Sequence, residues 1–461
     1  MISSTSNATR PLECKHSWLS LLTRFGIVDA SITGLSLNRS LHSYIFHFSL
    51  FHFSLMITIT VGILTAKEVH FRLDTPYIID NVSVEGEQTA IAQPDGILWQ
   101  GKVHQHITFT PPREGTGEAV FRLYGVTIGK QFHWERQQVQ VFTGTLHLVW
   151  HEGEIVVINE LPLEDYLISV ISSEMKSTCS LQFLKASAVI SRSWLLAQLR
   201  QKQDKSPSFI QTDEELIRWW DREDHELYDV CADDHCQRYQ GITVACNPNV
   251  RQAVSETCGQ VLMADGEICD ARFGKCCGGQ TNEFQYCWQN IRKSYLSSVA
   301  DPFCNTRDRE VLSQVLNDYD LETRDFYRWQ VCFTQDRLRQ LIERNLGMRF
   351  GHILRLEPLE AGPAGHISRL RIVGTERTYI IGKELMIRKT LSTSHLLSSA
   401  FTVSLEDLQD GIPQTIILNG KGWGHGVGMC QIGAAVMGHH GYSYQNILTH
   451  YYPGAEIQKL Y

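Results

Sequence analysis

The 461-residue chain has no block of basic residues. Its 42 Lys and Arg stand against 50 Asp and Glu, for a net charge of −8. A nucleic-acid surface needs clustered cations, so no nucleic-acid partner is expected. No repeat of solenoid or propeller period recurs along the chain, which excludes those architectures. The Cys-x-x-Cys pairs of common zinc fingers are missing, although there are 13 cysteines. That odd number leaves at least one free or metal-bound, and the chain is far too long for a disulfide-stapled scaffold. A signal peptide of ordinary form is also lacking, because about 40 polar, patternless residues precede the first apolar run.

What is present is ordinary globular material, 43% hydrophobic and 20% charged. That supports one large core or two to three domains. The run Tyr44–Ala66, "YIFHFSLFHFSLMITITVGILTA", has about the length of a membrane span but carries His47, His52 and several hydroxyl residues. Its end, "ITITVGIL", is β-branched and partly alternating, as a first strand should be. We therefore read Met56 as the translation start and residues 1–55 as an unstructured or artefactual extension. A membrane anchor is the alternative.

The remainder reads as α+β. Residues 56–140 form a small β-rich module of short strands punctuated by Pro-Asp-Gly and Pro-Pro. Residues 141–461 form the main region. It opens with a hairpin around His151-Glu152-Gly153, continues through two helices, and carries a polar segment at 202–240. A further helix is expected near Thr334–Leu346, and a last one after the glycine-rich stretch "GKGWGHGVGMCQIGAA" (420–435).

In "LPLEDYLISVISSEM" the apolar positions Leu163, Tyr166, Leu167, Val170 and Ile171 follow helical spacing. Glu164 and Asp165 suit the positive end of that helix. Glu174 falls three residues after Ile171, on the same stripe. There a shielded carboxyl would keep its proton to higher pH, as a general acid must. The alternative is a helix already ended by Ser172-Ser173, with Glu174 in solvent. The next helix, "LQFLKASAVISRSWLLAQL", buries Leu181, Leu184, Ala188, Leu195 and Leu199. Lys185 and Arg192, seven residues apart, lie close to that face. They imply buried carboxylates or ligand oxygens as partners, unless both snorkel from its edge.

His225, Cys231, His235 and Cys236 bring soft nitrogen and sulfur donors together at a density that suits one structural Zn2+. A cysteine-bearing polar loop is the other reading. Cys276-Cys277, followed by Gly278-Gly279-Gln280-Thr281, reads as a tight turn. A thiol nucleophile at Cys277 or Cys430 with His425 as base is conceivable, against buried structural cysteine.

Together "VINELPLEDYLISVISSEM", "LKASAVISRSW", "CCGGQTNEF" and "GKGWGHGVGMCQIGAAVMGHHGYSYQNILTHYYPGAEI" resemble the motifs of the stage II sporulation protein D / LytB family, over residues 143–461. The resemblance implies work on peptidoglycan glycan strands outside the cytoplasmic membrane. Sporulation members are lytic transglycosylases that leave 1,6-anhydro ends on strands stripped of stem peptides. LytB-type members are described as enhancers of a cell-wall amidase. It places the catalytic glutamate at Glu174 and implies metal at the His225–Cys236 cluster. It also makes Lys185, Arg192, Gly278, Gly279, Thr281, Trp423, His425 and Gln431 the candidate substrate-binding residues. The chain departs from the motif at Ser169, Lys176, Cys179, Ser187, Cys277, Cys430 and Ile432.

A transglycosylase can use one carboxylate where a hydrolase usually needs two. Glu174 would protonate the leaving oxygen and then accept the proton of the sugar's own 6-hydroxyl. The glycines of 420–428 would lie flat against a sugar or the Glu174 helix, with Trp423 under a pyranose and His425 orienting a hydroxyl or Glu174. A glycine-rich packing turn in which His425 caps the last helix is the structural alternative.

Overall fold

A computed structural model describes residues 57–112, 118–128, 136–175, 178–201, 208–220, 225–233, 235–243, 248–316 and 325–461. The proposed extension 1–55 lies outside the described residues. Thr58–Ala66 is a strand, as its β-branched alternation predicts. Among the described residues no helix is long and apolar enough to cross a membrane.

The architecture is α+β. In one five-stranded sheet the order runs Val230–Cys231, Thr58–Ala66, Glu154–Pro162, Thr145–His151, His106–Phe109. A six-stranded antiparallel sheet gathers Glu68–Ile79, Val82–Gln93, Gly96–Trp99, Lys102–His104, Val120–Ile128 and Arg136–Thr143. Strand pairing runs across the expected boundary at 140/141. Thr58–Ala66 pairs along its length with Glu154–Pro162. The first strand completes the sheet on which the main region is built, because that hairpin alone would leave an unpaired edge. The hairpin turn itself is as read: Glu152 and Gly153 both take positive φ, 50° and 82°, which matches strand twist in a two-residue loop.

The first helix, α1 (Leu163–Glu174), buries the five apolar residues that its spacing marks. Tyr166 stacks on Tyr239 at 5.4 Å, and the Tyr239 hydroxyl donates to Asn159 Oδ1 at 2.6 Å, fastening α1 to the sheet. The second, α2 (Leu181–Gln201), differs from expectation. It is buried on nearly every side from Ala186 to Leu199 rather than along one stripe. The reason is position: helices Pro248–Glu256, Gln431–His439 and Tyr444–Tyr451 and strand Gln260–Ala264 all pack around it. A separate core of Phe333, Leu341, Ile342, Phe350, Leu370 and Ile416 forms where helix Gln335–Leu346, capped by Thr334, lies over the strands 328–421.

Candidate active site

Glu174 is the last residue of α1, where Met175 turns the chain to extended backbone. It is half-buried, between the two positions open from its sequence. Its Oε2 faces the side-chain amide of Gln431, whose Nε2 lies 3.5 Å away. Gln431 is buried, at 2% exposure, and opens helix Gln431–His439. One contact thus joins the first and last motifs across 257 residues of chain.

Part of the glycine-rich stretch lies close against its own chain. Trp423 exchanges two backbone hydrogen bonds with Cys276, at 2.7 and 3.0 Å. A Cβ on Gly422 would press on the Cys276 carbonyl at 2.8 Å, and one on Gly428 would collide with the Arg272 carbonyl. Both residues also hold φ in the left-handed region, 78° and 71°. Met429–Cys430 then pairs as a parallel strand with Phe273–Gly274. The helix after the loop starts at Gln431, and it is not the last one as expected, since Tyr444–Tyr451 follows it. Trp423 is half-buried within this loop.

His425 is engaged by the loop itself. Its Nδ1 accepts from the Val427 N–H at 3.0 Å, and its ring packs edge-on against Trp288, centroids 4.9 Å apart. Burial, with Arg272 and Arg388 nearby, pulls its pKa down to about 3. It is a neutral ring that holds the turn. Among the described residues no hydrogen bond joins it to Glu174. His425 does not cap the helix that follows, whose N-cap residue is Cys430 with no side-chain capping bond.

Two further candidate substrate contacts are satisfied by protein. Arg192 is 0% exposed and makes a two-pronged bond to Glu164, Nε to Oε1 at 2.9 Å and Nη2 to Oε2 at 2.5 Å. Its Nη1 donates to the Gln260 carbonyl at 3.0 Å. Lys185 is ion-paired with Glu256. The carboxylates, not a ligand's oxygens, are the partners the sequence implied, because α2 is central. Thr281 is buried too, and its hydroxyl accepts from the Val299 N–H at 2.8 Å. Gly278 and Gly279 take φ of 72° and 109°, and the Gly278 carbonyl accepts from Arg328 Nη1 at 3.0 Å. Arg328 lines a cavity of about 720 Å³ together with Trp329, Phe401, Asn419, Gly420 and Lys421. Glu174 is not part of that lining.

The His225–Cys236 cluster forms. One donor atom from each of His225, Cys231, His235 and Cys236 lies within 4.8 Å of every other. Cys236 Sγ stands 3.3 Å from His225 Nε2 and 3.8 Å from His235 Nδ1. Cys236 and the two histidines favour the Cys231 thiolate against the cost of burial and draw its pKa far down. Two sulfurs and two imidazoles converging on one point is a donor set that fits tetrahedral zinc. Cys277 and Cys430 are buried and face Asp301 and Cys304 rather than the His425 ring, which removes the geometry for a thiol nucleophile.

His366, absent from the sequence-based candidates, lies against the glycine loop at 0% exposure, with neither ring nitrogen hydrogen-bonded. Burial pulls its pKa to about 3. It follows an Ala-Gly pair in no recognisable motif, so no local signal marks it. Asp301 and Cys304 were missed for the same reason.

The fold and this junction define an α+β protein whose candidate site is one carboxylate held by a glutamine behind a glycine-rich loop. A family model described as "Stage II sporulation protein" matches residues 151–263, and one described as "Domain of unknown function (DUF8618)" matches 282–428. The chain is 25% identical over 304 residues to stage II sporulation protein D of Bacillus amyloliquefaciens, covering 66% of this chain and 76% of that one. It is 27% identical over 316 residues to a protein of Brachyspira hyodysenteriae described as uncharacterized, covering 68% and 72%. It is 24% identical over 322 residues to the amidase enhancer of Bacillus subtilis, covering 63% of this chain and 40% of that one. These matches make the chain similar to the stage II sporulation protein D / LytB family.

Proposed function

We propose that this protein acts on the bacterial cell wall outside the cytoplasmic membrane, as a lytic transglycosylase on peptide-free glycan strands. The observation that carries the proposal is the Glu174–Gln431 contact. It fixes one carboxylate oxygen on a buried amide and leaves the other to reach a glycosidic oxygen. The Glu174 carboxyl donates its proton to the leaving 4-oxygen of N-acetylglucosamine as the bond to C1 of N-acetylmuramic acid breaks. The 6-hydroxyl of the same muramic residue then attacks C1, and its proton returns to Glu174. The ring closes as a 1,6-anhydro sugar and no water is consumed. The attack is intramolecular, so proximity is supplied by the substrate itself.

The cavity beside Gly278 has the cations Arg328 and Lys421 and the aromatic walls Trp329 and Phe401. That chemistry suits a saccharide bearing the lactyl carboxylate that a stripped muramic residue exposes. We also read His225, Cys231, His235 and Cys236 as ligands of one structural zinc. It would tie the 225–236 segment to strand Thr58–Ala66, with which Val230–Cys231 pairs.

A second reading is a glycan-binding partner that stimulates a wall amidase, and similarity to the amidase enhancer favours it. Digestion of defined strands separates the two. The Glu174→Gln variant abolishes anhydro-end release if the chain is an enzyme. If it is an enhancer, the variant leaves glycan binding and amidase stimulation intact.

A further inference from the structure

The structure assigns a second metal site, a buried tetrahedral zinc centre formed by Cys277, Asp301, Cys304 and Cys430. All four residues are buried, and one donor atom from each lies within 4.8 Å of every other. Cys277 Sγ is 3.6 Å from Cys304 Sγ and 3.2 Å from Asp301 Oδ2. Two thiolates on one tetrahedral zinc stand roughly 3.7 Å apart, and a thiolate and a carboxylate oxygen slightly closer, since Zn–S is about 2.3 Å and Zn–O about 2.1 Å. Two edges of such a tetrahedron are therefore already near their bound lengths.

The surroundings are those of a ligand set. Asp301 Oδ1 accepts the backbone N–H groups of Phe303, at 3.0 Å, and Cys304, at 3.1 Å. One carboxylate oxygen is thus anchored while the other is turned to the sulfurs, the outer-shell orientation that metal carboxylates receive. The Cys277 N–H points at Cys430 Sγ from 3.4 Å, a donor suited to a thiolate. The Tyr451 hydroxyl is buried beside them without a hydrogen-bond partner. A Cβ on Gly433 would strike both that hydroxyl and the Asp301 carboxylate, so the helix backbone closes the site from one side. A divalent ion would use all four inward donors at once, and its binding would add to the stability of the fold. A disulfide explains less: it uses two sulfurs and gives the inward carboxylate no role.

Two of the ligands, Cys277 and Cys430, are positions where the sequence departs from the family motif. The departures meet in space, together with an aspartate and a cysteine from a loop outside any motif. The centre fastens the Gly278-Gly279 turn, the 301–304 loop and the start of helix Gln431–His439 into one unit. Cys430 precedes Gln431, so the metal sits behind the glutamine that holds Glu174. This assignment rests on no activity and is independent of the transglycosylase reading.

The test is metal content of the full chain, purified under reducing conditions and loaded with zinc alone. Wild type is expected to hold two zinc ions. Cys231→Ser/Cys236→Ser removes one and leaves one. Cys304→Ser/Cys430→Ser also removes one, and the melting temperature falls. If that variant does not fold, cobalt loading of the Cys231→Ser/Cys236→Ser protein decides, by the intense absorption of tetrahedral cobalt bound to thiolates. Metal-free Cys231→Ser/Cys236→Ser protein with native circular dichroism overturns the assignment. So does a disulfide among Cys277, Cys304 and Cys430 in the reduced preparation, found by mass spectrometry.

Discussion

Glu164→Gln removes the counter-charge of a guanidinium that has no access to water. Arg192 is 0% exposed, whereas the Glu164 side chain is 25% exposed. Breaking a buried pair from one side costs about 3–5 kcal/mol, and partial solvent screening at Glu164 favours the lower end, near 3 kcal/mol. Unfolding entropy is about 2.1 cal/mol/K per residue, or roughly 0.8 kcal/mol/K for a body of about 400 residues, so the melting temperature should fall by about 3–4 °C. Glutamine still accepts from the Tyr461 hydroxyl, which donates to Glu164 Oε1 at 2.6 Å, so the loss reports the charge. Adding Arg192→Met, an apolar chain of similar length, should recover most of the loss, because removing both charges also removes the desolvation cost. Urea unfolding of the two single variants and the double closes the cycle. A double variant as unstable as the sum of its parts would refute coupling between Glu164 and Arg192.

Gln431→Leu should lower kcat about tenfold or more while KM for stripped strands stays near wild type, since the amide positions Glu174 without binding sugar. A change confined to KM would place Gln431 in binding instead. His366 is neutral in the fold, its pKa pulled from 6.5 to about 3. The stability it gives is complete above pH 6.5 and is lost as pH falls toward 3, by about 1.4 kcal/mol per pH unit. His366→Phe should flatten that slope in acid unfolding curves, and an unchanged slope would count against its burial. Chelation of a zinc-loaded Cys304→Ser/Cys430→Ser protein should lower its melting temperature through the His225–Cys236 site, and no shift would remove zinc from that site.

Local pattern carried some of this and not the rest. Helix α1 was legible because five apolar residues at helical spacing are all buried. The hairpin at 152–153 was legible because Gly153 suits a left-handed position between two alternating strands. The His225–Cys236 donors are near in sequence, so their convergence could be anticipated. What stayed hidden is long-range. Nothing near Lys185 or Arg192 announces Glu256 or Glu164 as partners, and a helix buried on all sides cannot be told from an amphipathic one by two cations. The glycines were noticed for the right reason, close backbone approach. At Gly422, Gly426 and Gly428 that backbone lies against residues 272–278 and His366, partners that periodicity could not name. Asp301 and Cys304 sit in a loop without motif or period, so only coordinates bring them to Cys277 and Cys430. The first strand, Thr58–Ala66, was expected in a module apart, and its pairing with a strand almost 100 residues later is likewise invisible to local reading.

The central claim is that the Glu174 carboxyl breaks the glycan by proton transfer. The most direct test is mass spectrometry of defined strands, with and without stem peptides, after incubation with wild type and Glu174→Gln. We predict 1,6-anhydro ends from stripped strands with wild type and a loss of about 100-fold or more with the variant, the scale of a missing general acid. Equal anhydro-end release by both proteins, or none from wild type, would contradict it.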